Sequence, residues 1–204
     1  RQREPNEVLT STCSVVCLLP QAHCNKFRLA ALEALVFHSL WRLGTQWKGM
    51  VIYMIRGVHF KIPQKMDNII FNILCCLNVE SYYWFKISSQ TEVWGEQIEK
   101  DFFEKEFYKG DGFINIIKNK HRIIFLKIQA YSKECDIKNI HIYKEFVDSN
   151  CDIIILIYDC EFVEIYSKNE STSILLFRRA KALGYKSCGY ITDDNDSRTK
   201  MDVL

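Results

Sequence analysis

The chain has 204 residues, a formal net charge of +2 and an apolar fraction of 48%. This excludes wholesale disorder and argues against a dedicated duplex-DNA binder, which needs clustered phosphate-neutralising charge. The nine cysteines are an odd set, and Cys75, Cys76, Cys151, Cys160 and Cys188 lie within or beside apolar runs, so they read as reduced thiols acting as small hydrophobes, not as a secreted disulfide framework. No apolar run is long enough to cross a bilayer.

Composition breaks near Met50. Isoleucine first appears at Ile52 and aspartate first appears at Asp67. The break divides the chain into an extension over residues 1–49, which is either native or upstream sequence attached to a complete protein, and a domain over residues 50–204. Met50 and Met54 both suit a start. Within the extension, Leu29, Leu32, Val36, Leu40 and Leu43 recur at helical spacing and predict one amphipathic helix over 27–43. Cys13, Cys17, His23 and Cys24 match no common zinc spacing. Glu4, Glu7 and the polar residues 10–14 spoil any resemblance to an export signal.

From Met54 the elements follow in order. Ile55, Val58, Phe60 and Ile62 predict a first strand that Pro63 closes. Asp67 is placed to cap a helix carrying Ile70, Ile73, Leu74 and Leu77 on one face. Residues 82–87 read as an aromatic strand, and Val93 and Trp94 either extend the sheet or anchor a loop. Residues 99–109 read as a short helix or lid with a greasy underside. A second short helix holds Phe113, Ile114 and Ile117. Residues 122–131 read as a strand, 133–138 as a polar connection and 143–149 as a short helix.

Residues 152–159 are apolar on both faces, as in a strand covered on both sides. Asp159, Cys160 and Glu161 then turn the chain into a hairpin partner over 162–167. Ser171 is placed to cap a final helix reaching Leu183, with Gly184 where a left-handed C-cap belongs. A last strand covers 188–191. The pattern predicts an α+β domain with a mixed, mainly antiparallel sheet flanked by short helices.

Three stretches carry a resemblance. Met54-Ile-Arg-Gly-Val-His-Phe-Lys-Ile-Pro63 resembles the opening of the domain of unknown function 2691 family. Ser149-Asn-Cys-Asp-Ile-Ile-Ile-Leu-Ile-Tyr-Asp159, with Val163-Glu-Ile-Tyr166, resembles its middle. Tyr190-Ile-Thr-Asp-Asp-Asn-Asp-Ser-Arg-Thr199 resembles its ending. The resemblance covers residues 54–204. It implies a small cytoplasmic protein of spore-forming Gram-positive bacteria, and it brings no activity, substrate or catalytic residue.

The candidate site residues fall in two groups. Asp193, Asp194 and Asp196 could bind a hard cation through carboxylate oxygens, with Arg198 and Lys200 orienting a phosphate. For a metal, Asp194 and Asp196 would have to converge with Asp159 or with Glu161. The other reading of this segment is a self-paired turn. On the aromatic strand, Tyr82 and Trp84 face one way and Tyr83 and Phe85 the other. One set must be core and the other either covered or exposed, and Trp84 and Trp94 are the candidate partner-binding aromatics. Neither a nucleophile elbow nor a glycine-rich phosphate loop occurs.

These residues point to a non-catalytic protein-interaction or regulatory factor. The alternative is a metal-dependent enzyme acting on a phosphorylated or nucleotide substrate. A protein partner is expected, and no cofactor, membrane or nucleic acid.

Overall fold

The computed structural model describes residues 54–65, 67–93, 101–134 and 137–203, the side chains of Glu92 and Val93 excepted. The helix predicted over 27–43 and Trp94 lie outside the described residues. The elements in chain order are β1 (Ile55–Lys61), α1 (Ile69–Leu74), β2 (Tyr83–Val93), β3 (Phe107–Lys109), α2 (Gly110–Ile117) and β4 (His121–Tyr131). They continue with α3 (Tyr143–Asp148), β5 (Ile153–Tyr158), β6 (Phe162–Ser167), α4 (Glu170–Ala182) and β7 (Lys186–Thr192). The seven strands form one sheet in the order β3-β2-β4-β5-β6-β1-β7. Every pairing is antiparallel. The fold is α+β, as the pattern predicts.

Strand alternation sends side chains to two faces, and both are covered. On one face Val58, Leu126, Ile128, Ile153, Ile155, Ile157 and Ile165 join residues of α1, α2 and α4 in the larger core. On the other, Tyr131, Phe146, Ile154, Leu156, Tyr166 and Met201 form a smaller core. All five residues from Ile153 to Ile157 are buried, each worth roughly 1.5–3 kcal/mol of transfer free energy. The run apolar on both faces is therefore central, as its composition requires.

The β5–β6 turn is made by two consecutive left-handed residues, Asp159 (φ 52°) and Cys160 (φ 61°). The Glu161 N–H donates to the Tyr158 carbonyl at 3.3 Å. This matches the primed geometry whose twist suits a hairpin. Helix α4 ends as predicted. Gly184 is left-handed at φ 72°. Its N–H donates to the Lys181 carbonyl at 3.0 Å, and that of Tyr185 to Ala180 at 3.1 Å, the two bonds of a Schellman motif.

The helix starts differ from expectation. The α4 cap is Asn169, whose Oδ1 accepts from the Ser171 N–H at 2.9 Å. At α1 the N-cap is Asn68, and Asp67 accepts from the Asn68 N–H at 2.8 Å while pairing with Lys65 at 2.9 Å.

Residues 99–109 depart further. Residues 101–106 are irregular and 107–109 form edge strand β3. The cause is tertiary. Asp101 accepts from Lys86 at 2.9 Å, from Thr91 at 2.7 Å and from Ser89. The Lys86 N–H donates to the Glu106 carbonyl at 2.8 Å. These bonds hold the segment along β2 and override its helical pattern.

Trp84 is fully buried. Its ring stacks on Phe113 with centroids 4.4 Å apart, and its Nε1–H donates to the Val79 carbonyl at 3.0 Å. It is a core residue with no surface for a partner, which corrects its assignment as a binding aromatic. Tyr82 and Trp84 thus supply the core-facing set. Tyr83 and Phe85, half-buried, pack against Phe107 on the opposite face.

Candidate interaction site

The polar C-terminal run singled out by sequence lies against the second sheet face and is tied to it by long-range bonds. From β1, Arg56 donates to Asp193 at 2.8 Å and to Asp196 at 3.1 Å. Tyr166 on β6 donates its hydroxyl to Asp196 at 3.1 Å, and the Arg198 N–H donates to the same carboxylate at 3.2 Å. The Asp196 side chain is only 3% exposed, so its carboxylate is a buried acceptor with its partners already in place.

Arg198 pairs with Glu164 on β6 and lies over the Tyr158 ring at 4.9 Å. Burial opposes its charge, but Glu164 more than restores it, and the pKa stands above the ordinary arginine value. At the end of the run, Asp202 accepts from Lys127 at 2.8 Å and pairs with His141 at 3.0 Å. Lys127 is 1% exposed and also donates to the Asn139 side chain and the Ile140 carbonyl, both at 2.6 Å. Burial lowers the pKa of this ammonium and Asp202 pulls the other way. For Asp202, burial is likewise outweighed, because Lys127 and His141 hold its carboxyl below the usual carboxylate range. Met201, between these charges, is buried in the smaller core.

This arrangement gives the candidate cation ligands other partners or separates them. Asp196 and Arg198 are consumed by internal pairs, Asp194 and Lys200 are exposed, and Asp159 sits at the hairpin tip. Glu161 pairs with Lys61 at 3.0 Å. Among the described residues, no three His, Cys, Asp or Glu side chains gather as metal ligands. The segment is a clasp across the sheet, its charges paired with β1, β4 and β6 and not with one another.

The clasp has an outward consequence. The guanidinium that Asp193 and Asp196 hold lies 4.2 Å over the Tyr143 ring. Tyr143 is the first residue of α3 and lines an open groove of about 480 Å³, with Met54, Ile55, Phe146, Val147 and Lys168. Burial raises the Tyr143 pKa while Arg56 lowers it, so the phenol is neutral near pH 7. Met54 is 65% exposed and Val147 51% exposed. Lys168 stands 5.6 Å over the Phe146 ring and donates to the Ser149 carbonyl. The groove is therefore apolar at its floor, with a cation, Lys168, and an anion, Glu170, both exposed at its rim.

The groove was missed in sequence because α3 is only one and a half turns long. The available signal was the spacing of Tyr143, Phe146 and Val147, one face of a helix. Of these only Phe146 is buried. A second cavity, of about 350 Å³ between β1 and the end of α4, is polar and self-paired through Lys61–Glu161 and Lys65–Asp67.

An antiparallel α+β domain with a C-terminal clasp and an apolar groove defines the class. The model of the family described as protein of unknown function (DUF2691) matches residues 55–202. The uncharacterized protein YncE of Bacillus subtilis (strain 168) is 32% identical over 153 residues, which are 74% of this chain and 100% of the relative. The chain belongs to this family. No solved structure matches it. Among the described residues no helix is long and apolar enough to cross a membrane.

Proposed function

We propose that this chain is a non-catalytic interaction factor of the cytoplasm that captures a protein partner in the groove between α3 and the start of β1. The observation that carries this reading is the exposed apolar concavity of Met54, Ile55, Tyr143 and Val147. Two of its walls leave more than half their surface in water, at a cost that a partner's apolar side chain would remove. At the rim Lys168 already donates to the Ser149 carbonyl and Glu170 stands two residues on, so the apolar contact carries the recognition. The fit is to the apolar face of a short amphipathic helix. Unpaired thiols at Cys75, Cys76, Cys151, Cys160 and Cys188 support a reducing compartment. The net charge of +2 and the engagement of Arg179 with the Asn72 carbonyl at 2.7 Å favour a protein over a nucleic acid.

Selection from a displayed library of helical peptides tests this. The expected result is an enriched family with apolar residues at helical spacing. Its affinity should fall about tenfold or more in Val147→Asp or Met54→Asp, the effect of losing one anchor contact. Both side chains are exposed, so the variants should keep the wild-type melting temperature. No enrichment, or binding indifferent to both substitutions, would overturn the reading.

A further inference from the structure

Strand β7 is the outermost strand on its side of the sheet, and among the described residues its one neighbour is β1. An edge of this kind offers N–H and C=O groups to any added strand, and proteins manage such edges explicitly. Here two devices act on the two halves of β7. At its start, Ser187 is left-handed at φ 51° and the β1–β7 register shifts between His59 and Lys61. That distorts the ladder as a bulge does.

At its end, the side-chain amide of Asn195 reaches back along the strand. Its Nδ2 donates to the Tyr190 carbonyl at 2.9 Å, and its Oδ1 accepts from the Thr192 N–H at 2.7 Å. A neighbouring strand would present one donor and one acceptor to such groups, and the amide presents both. The Thr192 carbonyl is also occupied, by the Asp196 N–H at 3.0 Å. The backbone groups at the end of β7 are thus satisfied from within the chain.

We infer that Asn195 is an edge guard: it occupies the positions through which β7 would pair with the β7 of a second copy. A second copy is the occupant that the strand's charges favour. Antiparallel self-pairing about Gly189, the middle of the strand, sets Lys186 of each copy opposite Thr192 of the other and beside Asp193. Lys186 and Asp194 are exposed, and Asp193, though paired with Arg56, keeps 44% of its side chain in water. Opposite charges at the two ends of one strand are complementary only in this antiparallel sense.

The test is self-association of the full chain, measured by analytical ultracentrifugation. Asn195→Ala should associate at least about tenfold more tightly than the wild type, since two competing hydrogen bonds are removed. Asn195→Asp keeps the acceptor for Thr192, and with it the turn, but loses the donor to Tyr190. It should also associate more tightly, and it serves if the alanine variant does not fold. Adding Lys186→Glu in either background should restore the wild-type behaviour. Association of both variants equal to wild type would overturn the inference. So would association that Lys186→Glu leaves untouched.

Discussion

At the residue scale, His121 carries the clearest consequence for stability. It is fully buried, with Nδ1 2.8 Å from the Asn119 carbonyl and Nε2 accepting from the Ile70 N–H at 3.5 Å. The ring packs on Phe102 at 4.4 Å. A nitrogen facing a carbonyl must carry the proton, and one facing an N–H must not, so the ring is neutral in the folded state. Burial lowers its pKa below the usual 6.5, and the opposing pull of Asn119 and Asp67 does not restore it.

The unfolded chain binds a proton at this residue near pH 6.5, where the folded protein does not. The stability from the neutral ring is present above that pH and is lost as pH falls toward the folded value. The slope reaches at most about 1.4 kcal/mol per pH unit. Denaturant melts between about pH 7 and pH 5 should show this slope, flattened in His121→Gln. Equal slopes in the two proteins would remove His121 from the explanation.

At the scale of elements, the β5–β6 turn is a place where residue and conformation disagree. Aspartate is among the residues that visit the left-handed region, since its short polar side chain can bond locally, whereas a cysteine such as Cys160 has no such compensation. Replacing Cys160 by glycine should raise stability by about 0.5–1 kcal/mol, most of the left-handed strain less the entropy glycine adds to the unfolded chain. A lower denaturation midpoint for Cys160→Gly would mean that the thiol's packing outweighs the strain.

The same scale shows what the sequence made legible. Strand β5 is readable because both its faces are apolar, and the end of α4 because Gly184 sits where a left-handed residue is needed. Strand β3 is not readable, because a three-residue strand carries too little alternation. What holds its approach is Asp101 reaching Lys86, Ser89 and Thr91. The C-terminal segment is conspicuous in sequence for its polarity, but its contacts depend on Arg56 and Glu164, partners far away in sequence. No local pattern announces them. Local composition likewise leaves open which of Tyr83 and Trp84 is buried, since the choice depends on where α2 lies.

At the scale of the whole molecule, the described buried residues of the two cores run from Val58 to Met201, and the family match covers 55–202. We therefore expect residues 54–204 to fold alone, with removal of residues 1–49 changing the melting temperature little. An insoluble truncation, or one lacking a cooperative transition, would show that the preceding segment completes the core.

The place of β1 in the sheet governs the order in which the molecule can be made. It is the first described strand to be synthesised, yet it lies between β6 and β7, the last two. Gly57 pairs with Tyr166 on one side and Ile191 on the other. Its Cβ position would fall 2.1 Å from the Ile165 carbonyl oxygen, so the seat allows glycine alone. A nascent chain leaving the ribosome can close the β5–β6 hairpin locally, but β1 must wait for both neighbours, with its apolar Val58 and Phe60 unburied. Until then the growing chain depends on its quick hairpins, and the sheet is completed only when its beginning meets its end.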